Sequence, residues 1–226
     1  MTATLSQPLT ATTAPRESRR SRRAELALIL GVPVAWALLL LAHPTGDTTI
    51  YDAVHDRLTA WQAVHLGMMA FIPLMALAVH RLLRGIDNTA ARISRWALPV
   101  FVVTYGAFEA IMGLGTGMLV SSIDTATHAE RVDIVQEFAD SPVIAVVENL
   151  ASLACGVALV AAAFALQRAR LIGGKGVTAL LLATPLIAMH VPPFGPVGLA
   201  LFVIVASAAL RRAGRLGRSD SLRGRR

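Results

Sequence analysis

Residues 143–166 read VIAVVENLASLACGVALVAAAFAL, an apolar run carrying one formal charge, Glu148. An apolar helix needs about 20 residues to cross the hydrocarbon of a bilayer, and this run has that length. Working outward, the same kind of stretch recurs at 24–42 and 61–83, with Pro33 and Pro73 inside them, and at 96–120. A last apolar region, 177–210, is broken by His190-Val191-Pro192-Pro193-Phe194-Gly195-Pro196. Its halves have roughly 16 residues each, slightly short of a full crossing. They form either a hairpin of two short spans or a re-entrant hairpin, and both readings return the chain to the same side. The expected fold is all-α: a polytopic transmembrane helix bundle of about six spans. Residues 1–23 are expected as a disordered basic cytoplasmic tail, 24–212 as the transmembrane domain, and 213–226 as a basic cytoplasmic tail.

Composition agrees. Of 226 residues, 55% are hydrophobic and 15% charged, where a soluble domain carries about a quarter charged. The net charge of +7 follows from topology, because cytoplasmic connections collect Arg and Lys. With the N-terminus inside, 19 of the 21 basic residues fall on the cytoplasmic side, and only Arg57 and Arg131 fall outside. Acidic Asp47, Asp52, Asp56, Asp124, Glu130, Asp133, Glu137 and Asp140 go to the outer side. Both termini are therefore expected in the cytoplasm of a plasma-membrane protein. The arginine tail lacks interleaved aromatics, so a nucleic-acid partner is not expected. The lone Cys155 permits no internal disulfide and no thiolate cage.

The two outer connections carry helical apolar spacing: Ile50, Val54 and Leu58 in one, Val132, Val135 and Phe138 in the other. Both are expected as short amphipathic helices at the outer interface. His43, His55 and His128 lie in these outer segments and read as members of a solvated acidic face.

An ionisable side chain inside a span costs about 2.5–3.5 kcal/mol at a helix centre on insertion scales, so function is sought there. His65, Glu109, Glu148 and His190 are the candidates, with Trp61 and Asn149 beside them. Three of the four sit in the outer half of the membrane, and Glu109 sits near the middle of its span. Gly106, Ala110, Gly113 and Gly117 recur at helical spacing as a small-residue stripe that lets a second helix approach. Glu109 shares that face. Glu148 shares a face with Ala145, Ser152 and Cys155. Both glutamates are expected to point into the bundle.

A His-Pro after the first span (His43-Pro44), Trp61-x-x-x-His65 opening the second, and Glu109 within the third resemble uncharacterised bacterial multi-pass membrane proteins, families of unknown function. The resemblance implies the fold type and no site roles.

Three functions stay open on the sequence alone. The first is binding or movement of a small solute or protons through an outward-facing polar pocket of His65, Glu109, Glu148 and His190. The second is a metal- or haem-binding membrane oxidoreductase using His65 and His190. The third is a structural or regulatory partner of another membrane protein, or a homo-oligomer, packing through small-residue faces in the lipid bilayer. No H-E-x-x-H, phosphate-binding glycine loop, Ser nucleophile motif or Cys-x-x-Cys is present, so no catalytic residue and no cofactor is assigned, and the expectation leans away from an enzyme.

Overall fold

The computed structural model describes residues 19–45, 49–123 and 127–223, and among these there is no strand. Residues 1–18 of the expected N-terminal tail, residues 224–226, Asp47 and Asp124 lie outside the described residues. Helix α1 (Arg19–Leu26) already begins within the expected tail and runs through a π turn (Ala27–Gly31) into α2 (Val32–Leu40). Helices α3 (Ile50–His55) and α4 (Leu58–Leu82) follow. Helix α5 (Thr89–Phe108) passes through a second π turn (Glu109–Gly115) into α6 (Thr116–Ser122). Helices α7 (His128–Ala139), α8 (Pro142–Arg168), α9 (Gly174–Met189) and α10 (Phe194–Arg223) complete the chain.

Five helical stretches among the described residues are long and apolar enough to cross a membrane: Ser21–Leu40, Leu58–Leu82, Thr89–Ser122, Pro142–Arg168 and Phe194–Gly214. Helix α9 is the sixth apolar element. Its 16 residues rise about 24 Å, short of the ~30 Å hydrocarbon thickness. The final hairpin is thus unequal, where two matched halves were expected. It is tight for a steric reason. A Cβ on Gly198 would lie 2.8 Å from the Ile187 backbone nitrogen and 2.9 Å from the Ala183 carbonyl oxygen, so only glycine lets α9 and α10 touch there. His190 ends α9 in the left-handed region at φ 39°, and Pro192 and Pro193 have no N–H with which to continue the helix.

Helices α5 and α8 pair along their length. Ser94 donates to the Ala158 carbonyl at 2.9 Å and Asn88 to the Ala165 carbonyl at 3.3 Å. The buried face of α8 is nearly all small, with Ala151, Ala154, Cys155, Ala158, Ala162 and Ala165, which permits this close approach. Helix α4 packs against α2, α5 and the second π turn.

One end of the bundle is rich in arginine: Arg95 donates to the Leu83 and Ile86 carbonyls, and Arg84 stands 3.9 Å from Glu25 of α1. The other end is capped by α3 and α7, as the apolar spacing of the two connections predicts. Their Tyr51, Val54 and Val135 bury with Trp61 and Val120 in a small second core. Thr49 caps α3 through the Asp52 amide. Thr127 and Glu130 form a reciprocal capping box on α7. The Thr127 backbone N–H, and then its hydroxyl, hold the Glu130 carboxyl below its ordinary value.

Candidate functional site

Three imidazoles meet under this cap. His65 lies one turn after Trp61 on the buried face of α4, His43 follows the end of α2, and His190 ends α9. The ring centroids are 5.1 Å apart for His43–His65, 5.6 Å for His43–His190 and 6.4 Å for His65–His190. One ligand nitrogen from each lies within 4.8 Å of the others. Trp61 covers the group, its indole 4.3 Å from the His65 ring and 5.2 Å from the His43 ring.

Each ring is held through Nδ1. His65 Nδ1 donates to the Trp61 carbonyl at 2.8 Å, and His43 Nδ1 to the Pro44 carbonyl at 2.9 Å. A carbonyl can only accept, so the proton sits on Nδ1 and the lone pair on Nε2. At His190 the Tyr105 hydroxyl donates to the Ala188 carbonyl at 2.9 Å, and its oxygen is then the acceptor for His190 Nδ1 at 3.1 Å. All three rings are therefore in the tautomer that offers Nε2 to a ligand. The Nε2 of His43 is buried with no hydrogen-bond partner.

Glu109 joins them from the second π turn. Its Oε2 is 3.8 Å from His65 Nε2, beyond hydrogen-bond length. The residue is fully buried and neither oxygen has a hydrogen-bond partner. A carboxylate in that position is costly unless a cation meets it. The π turn also seats the neighbouring residues. Trp61 Nε1 donates to the Gly113 carbonyl at 2.6 Å, and a Cβ on Gly113 would run into the His65 ring.

Three convergent imidazole nitrogens beside a carboxylate, each imidazole anchored by an oxygen behind it, form a donor set for a first-row divalent ion. Zinc accepts three histidines and keeps a fourth position for another ligand. The same groups can also pass a proton between Glu109 and His65.

Of the residues singled out in the sequence, Trp61, His65, Glu109 and His190 come together. Glu148 and Asn149 do not: both are exposed on α8, and Asn149 bonds back to the Ala145 carbonyl at 2.7 Å. The heptad spacing of Glu148 with Ile144 and Ala151 is right for the buried face. However, no residue of α8 is fully buried between those two: only Val147 there packs partly on the core, and Glu148 stays exposed. The glycine stripe divides at the π turn. Gly113 and Gly117 press on α4, whereas Gly106 has no heavy atom within 4 Å of its Cβ position. Ala110 is only partly buried. Sequence reasoning placed His43 in a solvated outer segment. It is 7% exposed and central to the site. Its position just past the end of an apolar span, followed by proline, was the available signal.

The chain matches no family model, no curated protein and no solved structure.

Proposed function

We propose that this protein is a polytopic membrane metalloprotein. Its working site is a centre for a divalent transition ion, held by Nε2 of His43, His65 and His190 with Glu109 alongside. The observation that carries the reading is the convergence of three Nδ1-anchored imidazoles on one point, next to a fully buried carboxylate that lacks any hydrogen-bond partner. The residues behind the bacterial resemblance, His43, Trp61, His65 and Glu109, are all members of this one site. That coincidence supports kinship with those multi-pass families. The 19-to-2 distribution of basic residues supports both termini in the cytoplasm and the site near the outer face.

Haem fits this arrangement less well than a small ion. The three rings stand edge to face at 5.1–6.4 Å and converge on a point, whereas a macrocycle is held axially by one or two ligands. The 3.8 Å separation of His65 and Glu109 favours a second reading, in which the pair carries protons without a metal.

The test is elemental analysis of protein purified in mild detergent and dialysed against zinc, iron, manganese or cobalt. One equivalent of metal per chain is expected. Replacing any one of the three histidines by alanine should lower affinity by at least tenfold, since a ligand is lost outright. A chain that stays metal-free after reconstitution removes the metal reading and leaves the proton pair.

A further inference from the structure

At the arginine-rich end of the bundle, two of the apolar helical stretches leave a polar cavity between them. It holds about 210 Å³ and is lined by Ser21, Ala24, Glu25 and Leu28 from α1 and the π turn after it, and by Arg81 and Arg84 from α4 and the turn that closes it. The end of α4 does not use these two arginines. Arg95 reaches back from α5 and donates to the Leu83 and Ile86 carbonyls at 2.8 and 2.9 Å, so those carbonyls are met from elsewhere. Among the described residues the Arg81 side chain has no hydrogen-bonded or ion-paired partner. Arg84 stands 3.9 Å from Glu25, with its own side chain 58% exposed. The cavity wall thus carries two positive charges and one negative, a net of +1.

The cavity sits at the foot of an apolar outer stripe. Leu74, Leu77 and Arg81 recur in steps of three and four, so they share one face of α4. Both leucines are exposed, at 39% and 41%, and Arg81 is exposed below them. From Leu77 to Arg81 the helix rises about 6 Å. On the facing helix Leu26 is exposed as well. A phospholipid has the same order along its length: acyl chains in the hydrocarbon, then a charged phosphate at the interface, where arginines at a helix end lie.

We infer that this cavity holds the phosphodiester of an anionic phospholipid, in the leaflet at the arginine end. Arg81 meets the phosphate, Arg84 divides its charge between the phosphate and Glu25, and the acyl chains lie along Leu74 and Leu77. Basic cavities between spanning helices bind such head groups, and the guanidinium fork matches two phosphate oxygens at once. The net of +1 selects a head group with a single negative charge. Inorganic phosphate carries more charge than the wall neutralises, and it has no chains to lay on the stripe. A zwitterionic head group brings an ammonium to a wall whose one carboxylate already faces Arg84. The site is independent of the histidine centre.

The experiment is native mass spectrometry of the full-length protein in detergent, titrated with phosphatidylglycerol, with phosphatidylethanolamine of the same chains, or with inorganic phosphate. One phosphatidylglycerol per chain is expected to stay bound where phosphatidylethanolamine and phosphate are lost. Arg81→Gln should weaken that binding about fivefold, the worth of one basic residue against an anionic surface. Ala24→Trp fills the cavity without changing its charge and should weaken binding as well. Arg92→Gln removes a charge at the same end but outside the cavity, and should leave binding intact. All three positions are exposed, so each change leaves the core untouched. Equal loss in Arg81→Gln and Arg92→Gln means a diffuse basic surface and overturns the inference. Full binding by Ala24→Trp places the lipid elsewhere and overturns it too. So does equal retention of the two lipids, or displacement of the lipid by inorganic phosphate.

Discussion

His65 and His43 are each anchored by one backbone carbonyl, whereas His190 Nδ1 lies 3.1 Å from a removable group, the Tyr105 hydroxyl, and 3.4 Å from the Ala188 carbonyl. Tyr105 is 1% exposed and its ring packs with Phe101 and Phe108, so Tyr105→Phe keeps the packing and removes only the hydroxyl. Loss of such an outer contact costs a metal site roughly 10–100-fold in affinity. Competition with a chelator should show that loss with an unchanged circular dichroism spectrum. An unaltered affinity would mean that Tyr105 does not orient the ring. At this scale the sequence showed part of the site. His65, Glu109 and His190 stood out because ionisable groups in apolar runs are costly. His43 did not, because it lies past the end of its run, where a histidine costs nothing by sequence and is buried only by tertiary packing against Trp61, His65 and His190. Glu148 misled for the opposite reason: periodicity states which face a residue is on but not whether another helix covers that face.

The second π turn is the element on which the site turns. Buried Tyr105, Glu109, Gly113 and Gly117 follow one another in steps of four. An α-helix of 3.6 residues per turn drifts off such a line, and the extra residue of a π turn brings it back. The glycines of the small-residue stripe are not equivalent. Gly113→Ala puts a methyl into the His65 ring and should displace that ligand, abolishing stoichiometric zinc binding while helix content is retained. Gly106→Ala meets nothing within 4 Å and gains helix propensity of about 0.8–1 kcal/mol, so zinc binding and stability should be kept. Equal behaviour of the two variants, by elemental analysis and thermal unfolding, would contradict this division. The stripe itself was visible in the sequence. The π turn that divides it was not, since no residue pattern distinguishes it from a continuous apolar helix.

For the molecule as a whole, the apolar runs specified the long helices, because hydrocarbon demands length and internal hydrogen bonding. The amphipathic cap followed from the spacing of Val54 and Val135. The unequal final hairpin did not: the break at His190–Pro196 was visible, but hydropathy does not show that α10 runs on past its apolar stretch to Arg223 while α9 stops at 16 residues. The proposed orientation rests on charge. In a Cys155→Ser background, Asp133→Cys should react with a membrane-impermeant maleimide on intact cells, and Lys175→Cys should react only after lysis. The reverse pattern would invert the topology and place the proposed metal centre at the cytoplasmic face. The claim on which the rest depends is the convergence of His43, His65 and His190 on one ion. X-ray absorption at the zinc edge of the loaded, full-length protein reads it most directly. Three imidazoles at about 2.0–2.1 Å with one or two oxygens is the expected first shell. A shell of oxygen alone, or with a single imidazole, would contradict it.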